Sequence, residues 1–274
     1  MMGNVSNYLL VSIRYSPTAN YLFMKLLVDL GNSAMKWAFL EQKRLGPLQS
    51  IPYQNNDFDN LLTQTWSKLD RPKEGVWISN VAGPQKASIL THWVEDHFGL
   101  KPIFIKTAGY ECGVTNGYQN PQQLGVDRWL ALIGAYHLEK GMLCVVDCGT
   151  AITLDVLSAN GHHLGGLIMP GMTTMRNALN NNTYALSHFD NDLPLKEKSS
   201  LLAYDTHHGI SLGTAYAVIG LLDYVINTLE KQGKVLILLT GGSAFFIEPF
   251  LQRPYRLIPD LVLQGLAVLV NQSL

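Results

Sequence analysis

Two stretches of the chain share one pattern of apolar and polar positions. In the first, the apolar run Leu26-Leu27-Val28 ends at Asp29, passes through Leu30-Gly31-Asn32-Ser33, and resumes as Ala34-Met35-Lys36-Trp37-Ala38-Phe39-Leu40. In the second, Leu143-Cys144-Val145-Val146 ends at Asp147, passes through Cys148-Gly149-Thr150, and resumes as Ala151-Ile152-Thr153-Leu154-Asp155-Val156-Leu157. Apolar runs on either side of a glycine-containing break predict hairpins of buried strands. Glycine there supplies positive φ or lets a ligand approach the backbone closely, while the aspartate projects from the strand end into the turn. One such hairpin is an ordinary tight turn. A second copy about one small domain later points to a duplicated domain, and two facing acidic turns make a cleft suited to a metal-bound polyphosphate.

The remaining periodicity fills in an α/β chain. Helices are expected over 58–68, 84–98 (opened by Pro84), 129–138, 172–179, 207–230 and 261–270, and further strands over 75–81, 101–106, 164–171 and 234–239. Hairpins come first and helices later in each half, which favours a mixed sheet over an all-parallel one. The turn Thr240-Gly241-Gly242-Ser243 is expected to open another helix whose N-terminus suits an anion or the sugar and base of a nucleotide. Residues 180–205 are polar and irregular, a surface excursion, and the final helix is expected to close the second lobe. The division expected is a disordered extension over 1–23, a first lobe over 24–138 and a second over 139–274.

Composition trims the function classes. With 274 residues and a net charge of −1 the chain can bury a sizeable core, lacks the basic balance of a general nucleic-acid binder, and has no Lys/Arg-rich run. Its three cysteines, Cys112, Cys144 and Cys148, form no C-x-x-C pair, so free thiols in a cytoplasmic protein are expected. No apolar stretch is read as reaching the ~20 residues that cross a bilayer, and 1–23 lacks the basic start and long apolar region of a signal peptide. The adjacent pairs His162-His163 and His207-His208 diverge instead of converging as metal ligands, and the five tryptophans are read as core.

One further stretch concentrates polar chemistry: Gly117-Tyr118-Gln119-Asn120-Pro121-Gln122-Gln123-Leu124-Gly125-Val126-Asp127-Arg128-Trp129, a loop entering a helix. An aspartate at a helix start is as readily a cap as a catalytic group. Arg128 is less expected, because the helix dipole disfavours a cation at that end, so the pair suggests a ligand needing a base and a cationic clamp.

The turns Asp29-Leu30-Gly31-Asn32-Ser33, Asp147-Cys148-Gly149-Thr150-Ala151 and Thr240-Gly241-Gly242 resemble the nucleotide motifs of the acetate kinase, sugar kinase, Hsp70 and actin superfamily. Taken with Gly125-Val126-Asp127-Arg128 and Gly165-Gly166-Leu167-Ile168-Met169-Pro170-Gly171, the chain from Met24 onward resembles type III pantothenate kinase. That resemblance implies duplicated ribonuclease-H-like lobes with mixed sheets flanked by helices, a homodimer, and ATP-dependent phosphorylation of pantothenate with Mg2+ and K+ or NH4+. By position, Asp29, Leu30, Gly31, Asn32, Ser33, Ala34, Met35, Lys36 and Thr150 would hold ATP. Asp147 would coordinate the monovalent cation. Tyr118, Gly125, Val126, Asp127, Arg128 and Thr206 would bind pantothenate, with Asp127 as proton acceptor and the Arg128 fork free for the substrate carboxylate. Ser33 stands where the family usually has threonine and Gly209 where alanine is usual. Two rivals stay open: another phosphotransferase or a phosphatase of the superfamily, and a non-catalytic ATP-binding regulator. ATP and pantothenate are the expected partners, with no nucleic acid and no membrane.

Overall fold

A computed structural model describes residues 24–53, 57–182 and 201–272. The leading stretch 1–23 and most of the polar stretch expected over 180–205 lie outside them.

The first half runs β1 (Met24–Leu30), β2 (Ala34–Glu41), β3 (Arg44–Leu45), β4 (Gln49–Pro52), α1 (Phe58–Trp66), β5 (Gly75–Asn80), α2 (Pro84–Phe98), β6 (Ile103–Phe104), β7 (Tyr110–Glu111), β8 (Val114–Thr115) and α3 (Val126–Leu138). Then come β9 (Met142–Cys148), β10 (Ala151–Leu157), β11 (His163–Pro170), α4 (Met172–Asn182), α5 (Thr206–Leu229), β12 (Val235–Thr240), β13 (Tyr255–Leu257) and α6 (Leu261–Gln272). One sheet has the order β3-β2-β1-β5-β6, with β4 also on β2, and the other β11-β10-β9-β12-β13. In each, a central strand pairs antiparallel with the next strand in sequence and parallel with a later one: β1 with β2 and β5, β9 with β10 and β12. The duplication expected from the two hairpins is thus a repeat of pairing as well as of pattern.

Strand alternation explains the layering. Leu26, Val28 and Leu30 point into a core completed by α1 and α2, where Trp66 packs edge-on to Trp37 and Trp93. Cys144, Val146 and Cys148 point the other way in the second sheet, into a core shared with Val218, Leu222 and Ile226 of α5. The opposite faces, through Leu27 on β1 and Leu143 and Val145 on β9, meet α3 and α6 in a common central core. By the same alternation Asp29 and Asp147 belong to these inner faces, so each sheet aims its strand-end carboxylate at the space between them.

Three expectations are corrected. Far from closing the second lobe, α6 lies against α3 and the strands β1, β2, β3 and β5 of the first sheet, while α3 packs on β9 and β10. The Thr240–Ser243 turn leads into two 3₁₀ turns, Ala244–Phe246 and Glu248–Phe250, and no α-helix forms. Pro249 has no N–H to give an i→i−4 bond, so no long helix dipole backs that turn. Finally, one helix among the described residues, α5, is long and apolar enough by length and composition to cross a membrane. Its Ala215, Val218, Leu222 and Ile226 side chains are instead buried in the fold.

The contact between α3 and α6 leaves no room for side chains where the helices cross. A Cβ on Gly265 would overlap the Leu130 carbonyl, and one on Gly134 would lie 2.6 Å from the Leu261 carbonyl oxygen. Gly265→Ala should therefore cost about 1–3 kcal/mol even though alanine is the better helix former. A melting temperature equal to or above the parent's would show that the two helices move apart freely.

Candidate functional site

A cleft of about 490 Å³ opens between the ends of the central strands. Asp29, Gly31, Asn32, Ser33, Ala34 and Lys36 line it from the first hairpin, and Asp147, Gly149 and Thr150 from the second. Asp127 enters from the start of α3. Leu30 and Met35, expected alongside these, are fully buried in β1 and β2 and are not among the residues that line the cleft.

Each turn is closed by a glycine amide, over two residues in the first and one in the second. The Gly31 N–H donates to the Ala34 carbonyl at 3.1 Å, and the Gly149 N–H to the Ala151 carbonyl at 3.0 Å. Neither glycine has positive φ, contrary to one reading of the sequence. The strained glycine is Gly241, at φ 90°, where a Cβ would overlap the Asp147 carboxylate. Across the cleft, Ser33 Oγ and Thr150 Oγ1 lie 2.7 Å apart, a hydroxyl–hydroxyl hydrogen bond that joins the two turns. Tyr53 steadies the first turn: its N–H donates to the Ser33 carbonyl at 3.0 Å and its hydroxyl to the Gly31 carbonyl.

Sequence reading missed the contribution of α4. Thr173, Thr174 and Asn177 line the cleft, and the Thr174 hydroxyl donates to the Thr150 carbonyl at 2.8 Å. The break at Pro170-Gly171 signalled the helix, but not that its first turn would face an anion-sized space.

Burial dominates the electrostatics, with the charge of Lys36 next and repulsion between carboxylates after it. Desolvation lifts the Asp29 carboxyl from its ordinary value to about 7 and that of Asp147 to about 6; Lys36 opposes both rises and Asp127 adds to both. Burial also raises Asp127, against the pull of the Arg128 amide and guanidinium. Asp29 Oδ1 is buried without a hydrogen-bond partner among the described residues, an orphan oxygen that a cation suits. No group of three or more His, Cys, Asp or Glu among the described residues forms a metal cage. A divalent ion here would share its shell with water and phosphate, as Mg2+ does.

Asp127 is not the cap of α3. Gly125 holds that position, and Asp127 Oδ1 accepts from the Arg128 N–H at 2.8 Å. Gly125 makes room for this, since a Cβ there would come within 2.6 Å of Asp127 Oδ1. Arg128, expected to hold its fork free for a substrate carboxylate, has spent it: Nε and Nη2 bond both oxygens of Asp155 at 2.8 and 2.6 Å. Its Nη1 donates to the Tyr118 hydroxyl at 3.1 Å. Tyr118, Gly125, Val126 and Arg128 sit beside the cleft and not on its wall, and Thr206 is exposed at the first turn of α5. Asp155 was not singled out and His163 was read only as half of a diverging pair, because a contact between a helix start and a strand 27 positions on leaves no local signal.

The raised carboxyls set a pH dependence. Without nucleotide, folded Asp29 keeps a proton that the unfolded chain releases above about pH 4, so its contribution to stability falls as pH rises towards 7. Asp29→Asn should therefore melt several degrees above the parent at pH 8, less so at pH 5, and close to it near pH 4. Equal melting temperatures at pH 8 would mean that burial of this carboxylate costs nothing.

A family profile described as type III pantothenate kinase matches residues 25–228. The type III pantothenate kinase of Nitrosococcus oceani is 37% identical over 251 residues, covering 89% of this chain and 92% of that protein. Among solved structures, one described as a 2-dehydro-3-deoxygalactonokinase from Sinorhizobium meliloti superposes with TM-score 0.58 at 12% identity, covering 90% of this chain and 96% of that one. The activator of the 2-hydroxyisocaproyl-CoA dehydratase from Clostridium difficile, solved with bound ADPNP, gives 0.50 at 14%, covering 92% and 97%. These two likenesses concern the fold alone, which is that of the actin-like ATPases, with mixed sheets flanked by helices. The profile runs through both acidic turns and the start of α3 into α5, and a relative shares more than a third of its residues along nearly the whole length, so the chain belongs to the type III pantothenate kinase family.

Proposed function

We propose that this chain transfers the γ-phosphoryl group of ATP to the primary hydroxyl of pantothenate, giving 4'-phosphopantothenate, the first step of coenzyme A biosynthesis. The observation that carries this reading is the convergence of Asp127 on the cleft formed by the two acidic turns, in a chain of this family.

Phosphoryl transfer passes through a loose transition state, so the protein's task is positioning and charge neutralisation more than covalent chemistry. Amides and hydroxyls of the Asp29–Lys36 turn, with Thr150, suit the ATP phosphates, and Lys36 adds a positive charge among three carboxylates. Magnesium, when bound with ATP, would offset the phosphate charge; the orphan oxygen of Asp29 and the buried carboxyl of Asp147 are the donors that fit it or a second cation. Asp127 then takes the proton of the attacking hydroxyl. Its carboxyl, raised by burial, is a stronger base than one in water.

Two finer assignments belong to the same reading. Asp147 has only neutral hydroxyl residues as register partners, Thr153 and Thr240, which supports a K+ or NH4+ ion beside it. The chain acts as a homodimer, a reading supported by the exposed face of α5, where Gly209 and Gly213 are followed by Gly220 and Tyr224, the last 74% exposed. A monomeric mass by light scattering at working concentration would remove the dimer.

The decisive test is release of ADP with and without pantothenate, for the parent and for Asp127→Asn. The asparagine keeps an oxygen for the Arg128 N–H, so the fold and ATP binding should survive while kcat falls at least ~100-fold. A variant within a few-fold of the parent would mean that Asp127 is not the base. Release without pantothenate would favour an ATPase or phosphatase, and ATP binding with no release a regulator. In the same assay, equal rates in sodium and potassium would sink the role given to Asp147.

A further inference from the structure

Beside the start of α3 lies a buried polar group that phosphoryl transfer itself does not use. Asp155, in β10, is 2% exposed, and His163, at the head of β11, is fully buried. Asp155 accepts both fork hydrogen bonds of Arg128, and His163 Nε2 lies 2.9 Å from Asp155 Oδ1. A carboxylate only accepts, so Nε2 carries the proton; Nδ1 is buried with no hydrogen-bond partner among the described residues. The imidazole stacks on the Tyr118 ring, with centroids 5.7 Å apart and planes 17° from parallel. Since Arg128 Nη1 donates to the Tyr118 hydroxyl, the four side chains close into a ring of contacts: Arg128, Asp155, His163, Tyr118 and back to Arg128.

Stability alone is a poor account of this arrangement. An apolar cluster of equal volume holds such a site as well as or better than a buried ion pair does. Backbone has been cut away for it too: a Cβ on Gly166 would overlap both Asp155 Oδ1 and Arg128 Nη2. What the ring does achieve is to fix a long cation in one rotamer. With Nε, one Nη2 hydrogen and one Nη1 hydrogen engaged, a single hydrogen is left on each of Nη1 and Nη2. The Tyr118 hydroxyl, already accepting from Arg128, has its own hydrogen to give elsewhere.

We infer that Asp155 and His163 are positioning residues for the acceptor: through Arg128 and Tyr118 they present two adjacent donors to its carboxylate, and so set the preference for a carboxylate-bearing substrate over a neutral one. The inference rests on pantothenate being the acceptor. His163 acts from behind, by donating to Asp155 and by bracing the Tyr118 ring. Asp155 acts by denying Arg128 its other orientations, so the entropy of ordering that side chain is spent on folding and not on binding.

The test compares kcat/KM for pantothenate with that for pantothenyl alcohol, in which a hydroxymethyl group replaces the carboxylate. The parent should favour pantothenate. His163→Phe keeps an aromatic ring against Tyr118 but loses the donor; it should reduce the preference about tenfold, through KM for pantothenate, with KM for ATP within about twofold. His163→Gln loses the ring but keeps a donor where Nε2 stood, and should retain more of the preference than phenylalanine does. Asp155→Asn should lower it as well; if that variant does not fold, the two histidine variants decide. Should phenylalanine outperform glutamine, or should both acceptors suffer equally, His163 merely fills space and the inference falls. A parent that turns over neither acceptor overturns the phosphoryl-transfer reading itself, and one that turns over both without preference overturns the inference alone.

Discussion

Carboxylates that repel one another at the ends of two buried strands set the terms for the rest of this structure. Asp29 and Asp147 stand on inner sheet faces, each a few residues from a fully apolar strand core, with Asp127 brought up between them and Lys36 the charge that opposes their rise. Such a cleft is electrostatically unfavourable when empty, because each charged group raises the cost of ionising the others. A polyphosphate arriving with its cations exchanges that repulsion for ionic and hydrogen-bonded contacts. The scaffold must keep the strand ends in place while the cleft is empty, and the packing of α3 and α6, with glycine at the crossing, does so from the far side of the same central core.

What the sequence disclosed follows from which interactions are local. Both acidic hairpins were legible because strand, turn and returning strand are contiguous, but strands apolar on both sides do not say which face each aspartate takes, and the packing does. The loop before α3 was legible as polar chemistry for the same reason. Other features were not. That α6 returns to the first sheet depends on which apolar face finds which partner, and Leu261 to Val270 would suit either sheet by composition. The pairing of Arg128 with Asp155 joins residues 27 positions apart, and neither flanking pattern implies it. α5 was under-read: a helix apolar enough by length and composition to cross a bilayer owes that composition partly to a core face and partly to small residues on an exposed one.

The two halves are alike in pairing but not in chemistry, and the difference divides the labour of the site. In the first sheet the register partner of Asp29 across the hairpin is Lys36, so a cation is built into the turn. In the second, the partner of Asp147 is Thr153, a neutral hydroxyl, and the first turn of α4 stands beyond it instead. One half therefore carries its positive charge on the hairpin partner of its own aspartate, while the other is served by that same Lys36 across the cleft, with the first turn of α4 beside it. A duplicated fold offers two equivalent strand-end carboxylates. Changing one hairpin partner from lysine to threonine is enough to make the pair unequal, and an asymmetric molecule such as ATP, charged at one end of its phosphate chain and capped by a nucleoside at the other, needs that inequality to bind in a single direction.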